Sequence, residues 1–392
     1  MSTAVIVDAV RTPSGRGKPG GALSGLHPTD LLAYTLTTLI ERTGIDPAII
    51  DDVIGGCVTQ GGQQGGNITR NAVLGAGFPD SIPGVTIDRQ CGSSQQAASF
   101  AAQGVISGAY DVAIACGVES MSRNPIGSAA RGEDINGSLL AARYPQGLVD
   151  QGISAELIAQ KWGFSRQQLD DFAARSHLRA TAAQASGAFD AELIAVDADG
   201  GSVAVDQTVR ATTTVEGLSG LSSAFRTDRL AERFPELGWM ITPGNSSPLT
   251  DGASACLIMS EERANDLGLK PRARFHTFAV VGSDPMFMLT GVIPATRKVL
   301  ERAKLTIDDM DVYEVNEAFA PVPLAWLAET GADPDKLNPL GGAIALGHPL
   351  GASGTKLLAT MLNHLEATGG RYGLQTMCEG GGMANATIIE RL

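Results

Sequence analysis

The stretch IDPAIIDDVIGGCV, residues 45–58, returns in altered form as LTIDDMDVYEVNEAF, residues 305–319. Val53 then falls on Val312, an offset of 259 residues. Downstream, CGSSQQAASFAAQGV (91–105) resembles LGASGTKLLATMLNHL (350–365), with Ser93 on Ser353 at an offset of 260. GAYDVAIACG (108–117) resembles GGRYGLQTMCEG (369–380), with Cys116 on Cys378 at an offset of 262. Each similarity is weak, and chance likeness of Ala- and Gly-rich segments is the competing explanation. Three of them in one order at nearly one offset point to two halves with the same strand–helix sequence.

Local patterning fits that division. Ala4–Ala9, Val53–Val58 and Asp111–Cys116 read as strands, and Val85–Asp88 leads as a strand into Cys91. Leu31–Arg42, capped by Thr29 or Asp30, reads as a helix, as do Arg70–Ala76 and Ser94–Ser107. Strands alternating with helices imply a layered α/β architecture. Residues 1–120 and 246–270 form the first half and 271–392 the second. Residues 121–245 read as an insert with helices over Ser154–Gly163 and Arg166–Ser186 and a polar, Thr- and Arg-rich segment, Val203–Arg233. Such loops often carry ligand contacts.

Bulk composition narrows the function classes. A chain of 392 residues exceeds one ordinary core, so two or three packed units are expected. Hydrophobic residues make up 43% and mean hydropathy is +0.06, so the 48 glycines signal tight turns rather than disorder. A net charge of −13 disfavours nucleic acid and anionic membrane as partners. The five cysteines are widely spaced and form no C-x-x-C pair, which speaks against a disulfide framework or structural zinc and suits a reducing cytosol. No apolar run approaches the roughly 18 residues of a membrane span, and the charged N-terminal stretch is no signal peptide. A cytoplasmic protein is expected.

Three positions stand out chemically. Cys91 follows a strand and precedes Gly92-Ser93-Ser94, which opens a helix. A helix N-terminus favours a thiolate through its dipole and free N–H groups. On local residues alone, a reactive thiol and a structural one stand level. His348 sits in GGAIALGHPLGASG, a rigid seat that would fix an imidazole near a thiol. Cys378 ends a strand before three glycines, whose backbone N–H groups could form an anion pocket, and a second thiol there could shuttle a proton. Its repeat mate is read as the inert Cys116. Asn316 and Glu317 lie just past a strand end, a usual place for α/β site residues. Cys57 and Cys256 read as core; His27, His177 and His364 as surface or loop residues; His276 as part of an apolar strand.

Taken together, VDAVRTP, DRQCGSSQQA, GVESMS at Glu119, GNSSPLTDGASA at Asn245, NEAFA at Asn316, GGAIALGHPLGASG and CEGGG resemble the thiolase family over essentially the whole length. The resemblance implies two similar α/β halves, each with a five-stranded sheet, stacked in α-β-α-β-α layers around an inserted loop domain. It implies Cys91 as the acylated nucleophile, His348 as its activator, and Cys378 as the general acid/base. Asn316 would hold a water that forms one oxyanion hole with His348, and the N–H groups of Cys91 and Gly380 would form the other. Ser247 would touch the pantetheine arm of coenzyme A, Arg210 and Phe225 would lie near its nucleotide, and Leu148, Met288, Ala318 and Phe319 would line the acyl pocket. Coenzyme A and a 3-ketoacyl-CoA would be substrates, with no cofactor or metal, in a homodimer or homotetramer.

The departures from the family pattern are Ser94 after CGS, the run Asp150–Glu156 in place of the short-chain enzymes' His- and Met-bearing loop, Pro243, Pro248, a longer 226–240 segment, and no Gly after Met383. They fall around the acyl pocket. The chain is accordingly most similar to degradative thiolases of bacterial steroid-ring breakdown, cleaving a bulky or ring-bearing 3-ketoacyl-CoA. The alternatives are an acetoacetyl-CoA enzyme run in the condensing direction and a non-catalytic CoA-binding subunit. A decarboxylating ketoacyl synthase would need a second His at Asn316, and nothing resembles a cysteine peptidase's nucleophile signature.

Overall fold

The computed structural model describes residues 2–392. The first half runs β1 (Ala4–Arg11), α1 (Pro28–Thr43), β2 (Asp52–Gly56), α2 (Ile68–Gly75), β3 (Gly84–Ile87), α3 (Ser93–Ser107) and β4 (Val112–Ser120). The insert contributes α4 (Gln151–Trp162) and α5 (Arg166–Ala185), after which β5 (Thr250–Ser260) returns to the sheet. The second half repeats the order: β6 (Ala273–Gly282), α6 (Val292–Ala303), β7 (Val312–Val315), α7 (Pro321–Thr330), α8 (Ser353–Thr368), β8 (Tyr372–Glu379) and β9 (Met383–Arg391).

The strands form one ten-stranded sheet, not two separate ones. Its order is β3-β2-β4-β5-β1-β6-β9-β8-β7, with the two-residue strand Gly15–Arg16 beside β5. β1 and β6 join the halves through only two antiparallel pairs, Val5–Arg274 and Ile6–Ala273. The order is palindromic except at its second end, where the expected fifth strand shrinks to a bridge between Tyr313 and Leu337. Asn338 explains the loss. With φ of 44° it leaves the extended region, and its amide both accepts from Val315 N and donates to Val315 O, each at 2.9 Å. One side chain thus satisfies the edge groups that a strand would pair.

Three cores lie around this sheet. α1 and α2 cover one face of the first half with Leu32, Leu36, Ile68 and Val73. α6 and α7 cover the second half with Val292, Val299, Val322 and Trp326. α3 and α8 lie between the halves, packing Ala97, Ala101, Leu358 and Met361 against Ile6, Ile54 and Val312. The result is the five-layer α-β-α-β-α arrangement. α3 and α8 approach so closely that a Cβ at Gly354 would lie 2.0 Å from Gln95 N, which requires glycine there.

The hydrogen-bond register corrects the alignment of the repeat. Paired residues lie 61 apart in both halves, Asp52 with Ala113 and Val312 with Gly373, so the two strands share one offset, and their first residues (Asp52 and Val312, Val112 and Tyr372) set it at 260. α3 and α8 begin at Ser93 and Ser353, the same offset. Cys378 therefore corresponds to Val118, not Cys116, and Glu119 corresponds to Glu379. Two local expectations also change. α1 starts at Pro28 with His27 as its cap, its Nδ1 accepting from Thr29 N at 3.3 Å, because proline at the first helical position has no N–H to leave unpaired. His177 is buried on α5, where its Nδ1 accepts from Arg210 N at 3.2 Å and burial lowers its pKa to about 4.

Candidate active site

β3 ends into a tight turn that sets the first thiol. Asp88 Oδ1 accepts from Gln90 N at 2.6 Å, and Gln90 is held in the left-handed region at φ 48°. Gly92 N donates to Arg89 O and Ser93 N to Gln90 O, at 3.1 and 3.0 Å. Cys91 is thereby placed one residue before the α3 cap Gly92, 1% exposed, with Gln151 Nε2 3.9 Å from its Sγ. The expected depression of its pKa does not occur. Burial pushes the thiol up and nearby Cys378 adds to the effect, while the N–H groups of Gly92 and Ser93 are occupied within the turn. At rest Cys91 is a thiol and needs a base.

His348 supplies a nitrogen suited to that role. Its Nδ1 lies 2.5 Å from Ser353 Oγ, which donates its own proton to Pro349 O at 2.9 Å. Ser353 can therefore only accept from the ring, and this assigns the proton to Nδ1 and leaves Nε2 bare. Burial, with a contribution from Lys356, lowers the imidazole to about 3, so it is neutral near pH 7. Asn316 Nδ2 donates toward both His348 Nε2 at 3.4 Å and Cys378 Sγ at 3.6 Å. Burial pushes Cys378 up to about 12 against the Asn316 bond.

The turn that carries His348 is anchored from four directions. Gly342 N donates to Ser176 Oγ at 3.1 Å, Ile344 N to Glu317 Oε2 at 3.2 Å, His348 N to Thr250 Oγ1 at 3.0 Å, and Gly351 N to Glu119 Oε2 at 2.9 Å. Ser176 belongs to the insert and Thr250 and Glu119 to the first half, so the base is placed by all three parts of the chain.

Above these groups opens a cavity of about 800 Å³. Phe225, Ser247, Met288, Phe319, His348 and Gly380 line it, together with Gln90 and Gln151. Its mouth is apolar, with Ile126 and Leu249 prominently exposed. A Cβ at Gly380 would meet Gln90 Oε1 at 2.9 Å, and Gly381 and Gly382 both sit at φ 80°. Ala318 is buried and does not itself line the cavity; its carbonyl accepts from Ser247 N, a lining residue, at 3.0 Å. Phe225, expected near the nucleotide, packs edge-on to Phe319 with ring centroids 5.9 Å apart. Leu148 lines a neighbouring depression with Tyr144 and Asp150, and Arg210 is an exposed loop residue; neither borders the cavity.

Residues 4–262 match the family model for the thiolase N-terminal domain, and residues 269–391 the one for the thiolase C-terminal domain. The chain belongs to the thiolase family. It is 51% identical over 400 residues to a steroid 3-ketoacyl-CoA thiolase of Mycobacterium tuberculosis, covering all of this chain and 95% of that protein. It is 44% identical to a 3-ketoacyl-CoA thiolase of Pseudoalteromonas translucida over the full length of both. The crystal structure of the Bacillus anthracis acetyl-CoA acetyltransferase superposes with a TM-score of 0.88 at 36% identity, over 100% of this chain and 99% of that one. This thiolase is accordingly an acyltransferase acting on acyl-CoA substrates.

Several residues around this site were assigned no role from the sequence. Gln151 beside Cys91 is one. Glu119 is another: it is buried and accepts from Val58 N, Thr59 N, Gln64 Nε2 and Gly351 N at 2.8–3.1 Å. Its counterpart Glu379 lies behind the Cys91 turn, where a Cβ on Gly92 would come within 2.1 Å of Oε1, yet neither carboxyl oxygen has a hydrogen-bond partner. The equal 260-residue spacing of the two glutamates was a signal in the sequence.

Burial raises Glu379 to about 8, with Arg89 opposing. A carboxyl whose pKa is raised on folding contributes most below its unfolded value near 4.5 and loses that contribution as pH climbs to about 8, at about 1.4 kcal/mol per pH unit. Glu379→Gln is therefore expected to gain roughly 2–3 kcal/mol relative to wild type between pH 5.5 and 8 in denaturant melts. Parallel loss of stability in both proteins would show that Glu379 ionises like an ordinary surface carboxyl.

Proposed function

We propose that this chain is a degradative 3-ketoacyl-CoA thiolase, cleaving bulky or ring-bearing acyl chains with free coenzyme A to give acetyl-CoA and an acyl-CoA two carbons shorter. The observation that carries this is the Asn316 amide set between a bare imidazole nitrogen and a second thiol, beside a buried Cys91, under one large cavity.

Cys91 gives its proton to His348 Nε2 and attacks the 3-keto carbon, and the backbone N–H groups of Cys91 and Gly380 stabilise the tetrahedral oxyanion. Cleavage of the carbon–carbon bond releases the enolate of acetyl-CoA. Nε2–H, with a water held by Asn316, stabilises the enolate oxygen while Cys378 protonates its carbon. The resulting Cys378 thiolate takes the proton of incoming CoA, whose sulfur attacks acyl-Cys91 and expels the Cys91 thiolate, which recovers its proton from His348 Nε2. A thiol held near 12 suits this exchange, because it keeps its proton until a base as strong as an enolate appears.

Ser247 contacts the pantetheine arm, and Phe225, Met288, Ala318 and Phe319 shape the acyl passage. Leu148 and Arg210 belong to the outer insert, near where the acyl end and nucleotide emerge. CoA is a substrate, and the scheme calls for no further cofactor. We expect a cytoplasmic homodimer or homotetramer; five free thiols suit a reducing compartment, and the sheet-edge strand β3 exposes Val85. Among the described residues no helix is long and apolar enough to cross a membrane.

Support for a bulky substrate comes from the steroid enzyme's similarity and the apolar mouth. Acetoacetyl-CoA, a medium straight-chain and a ring-bearing 3-ketoacyl-CoA should be compared in CoA-dependent thiolysis. The ring-bearing compound is expected to show the highest kcat/KM. A clear preference for acetoacetyl-CoA would sink the bulky-substrate assignment.

A further inference from the structure

Two side chains one helical turn apart on α8 hold the His348 segment. Ser353 binds the ring, as described above. Lys356, 4% exposed, binds the backbone just before it: Nζ donates to Gly347 O at 3.0 Å, to Leu346 O, and to Ser14 Oγ at 2.9 Å. Ser14 Oγ donates its own proton to Leu346 O at 2.6 Å, so it can only accept from Lys356. Two carbonyls and one accepting hydroxyl require three N–H donors, which makes the nitrogen an ammonium.

The charge is balanced within the fold. Arg11, fully buried on β1, binds Glu192 through Nε and Asp206 through Nη1 and Nη2 at 2.8 and 3.0 Å. Asp206 also accepts from Ser14 N at 2.8 Å, which joins the insert to the lysine's own partner. Two cations thus face two carboxylates. Glu314 on β7, buried with both oxygens unpartnered, is held well above the usual carboxylate range and stays neutral. Burial pulls Lys356 down to about 7, and Asp206 opposes this.

We propose that Lys356 is a positioning residue for the His348 base, fixing the imidazole through the two carbonyls that precede it. The proposal rests on His348 being the group that deprotonates Cys91. A lysine that served only to neutralise the buried acid pair would affect folding and leave the behaviour of the base unchanged.

The test is the rate of Cys91 alkylation by iodoacetamide from pH 2.5 to 9, which spans the imidazole's titration near 3, with kcat and KM for thiolysis, in wild type, H348N, K356M, K356R and S14A. H348N should slow alkylation at least tenfold; a wild-type rate would overturn the base assignment and this proposal with it. With H348N slow, K356M should lower kcat about 10–100-fold at little-changed KM and move the acid limb of alkylation up by roughly 1 pH unit, since removing a nearby cation eases imidazole protonation. K356R should stay within about threefold of wild type with its limb unmoved. Superimposed K356M and wild-type profiles, with H348N slow, would overturn the positioning role while leaving the base assignment standing. Should K356M not fold, S14A decides: it keeps the charge but removes one anchor, and should lower kcat about 3–10-fold with the acid limb in place. An S14A enzyme at wild-type kcat would overturn the proposal.

Discussion

Cys91→Ala should lower CoA-dependent thiolysis by roughly 10⁴-fold or more, because loss of a covalent nucleophile removes the pathway and leaves only binding and oxyanion stabilisation. The substitution spares the cavity lining and the Asn316–His348–Cys378 contacts, so substrate binding should persist. Mass spectrometry supplies the decisive reading. Wild type mixed with a 3-ketoacyl-CoA in the absence of free CoA should accumulate the acyl mass on the tryptic peptide that contains Cys91, and C91A should show none. An acyl adduct on Cys378 or elsewhere in C91A, with activity retained, would move the nucleophile away from the β3–α3 turn.

Cys378→Ala should cost about 10²–10⁴-fold in kcat, the range of a lost general acid/base, while Cys91 alkylation stays within a few-fold of wild type. The separation follows from the geometry. His348 Nε2 carries no proton and is the base proposed for Cys91, while Cys378, which accepts from the Asn316 amide that also reaches His348, is the acid proposed for the leaving carbon. Exchange of the acetyl-CoA methyl protons with deuterated water isolates the step, since it requires a base at the enolate carbon. C378A should lose this exchange. Exchange at the wild-type rate would assign the acid/base to another group.

Much of the site was legible in the sequence because its residues sit at local breaks in pattern. Cys91 lies between a strand and a run of small residues, His348 within a glycine-rich turn, and Cys378 before three glycines; such breaks are where a chain turns at the end of a sheet. The residues that were missed carry no local signal. Gln151 and Lys356 lie within ordinary helical sequence, and their roles depend on Cys91 and on Asp206, which are distant along the chain. Leu148 and Arg210 were placed by resemblance; Leu148 lines a depression that shares Asp150 with the cavity, and neither residue is among those that line the cavity itself.

By itself the sequence determined the element order and the twofold repeat, because propensity, periodicity and turn chemistry act within a dozen residues, while the roles proposed for Cys91, His348 and Cys378 came from the family resemblance of their motifs. The tertiary structure decided the rest. Strand pairing set the single 260-residue offset that removed Cys116 as the mate of Cys378 and matched Glu119 to Glu379. The Asn338 side chain ended the second half of the sheet one strand short. Burial reversed the expected ionisation of Cys91, since desolvation by groups from both halves outweighs a helix end whose nearest N–H groups are already bonded. Registers, edges and pKa values arise from atoms brought together across hundreds of residues, and no local pattern encodes which atoms those will be.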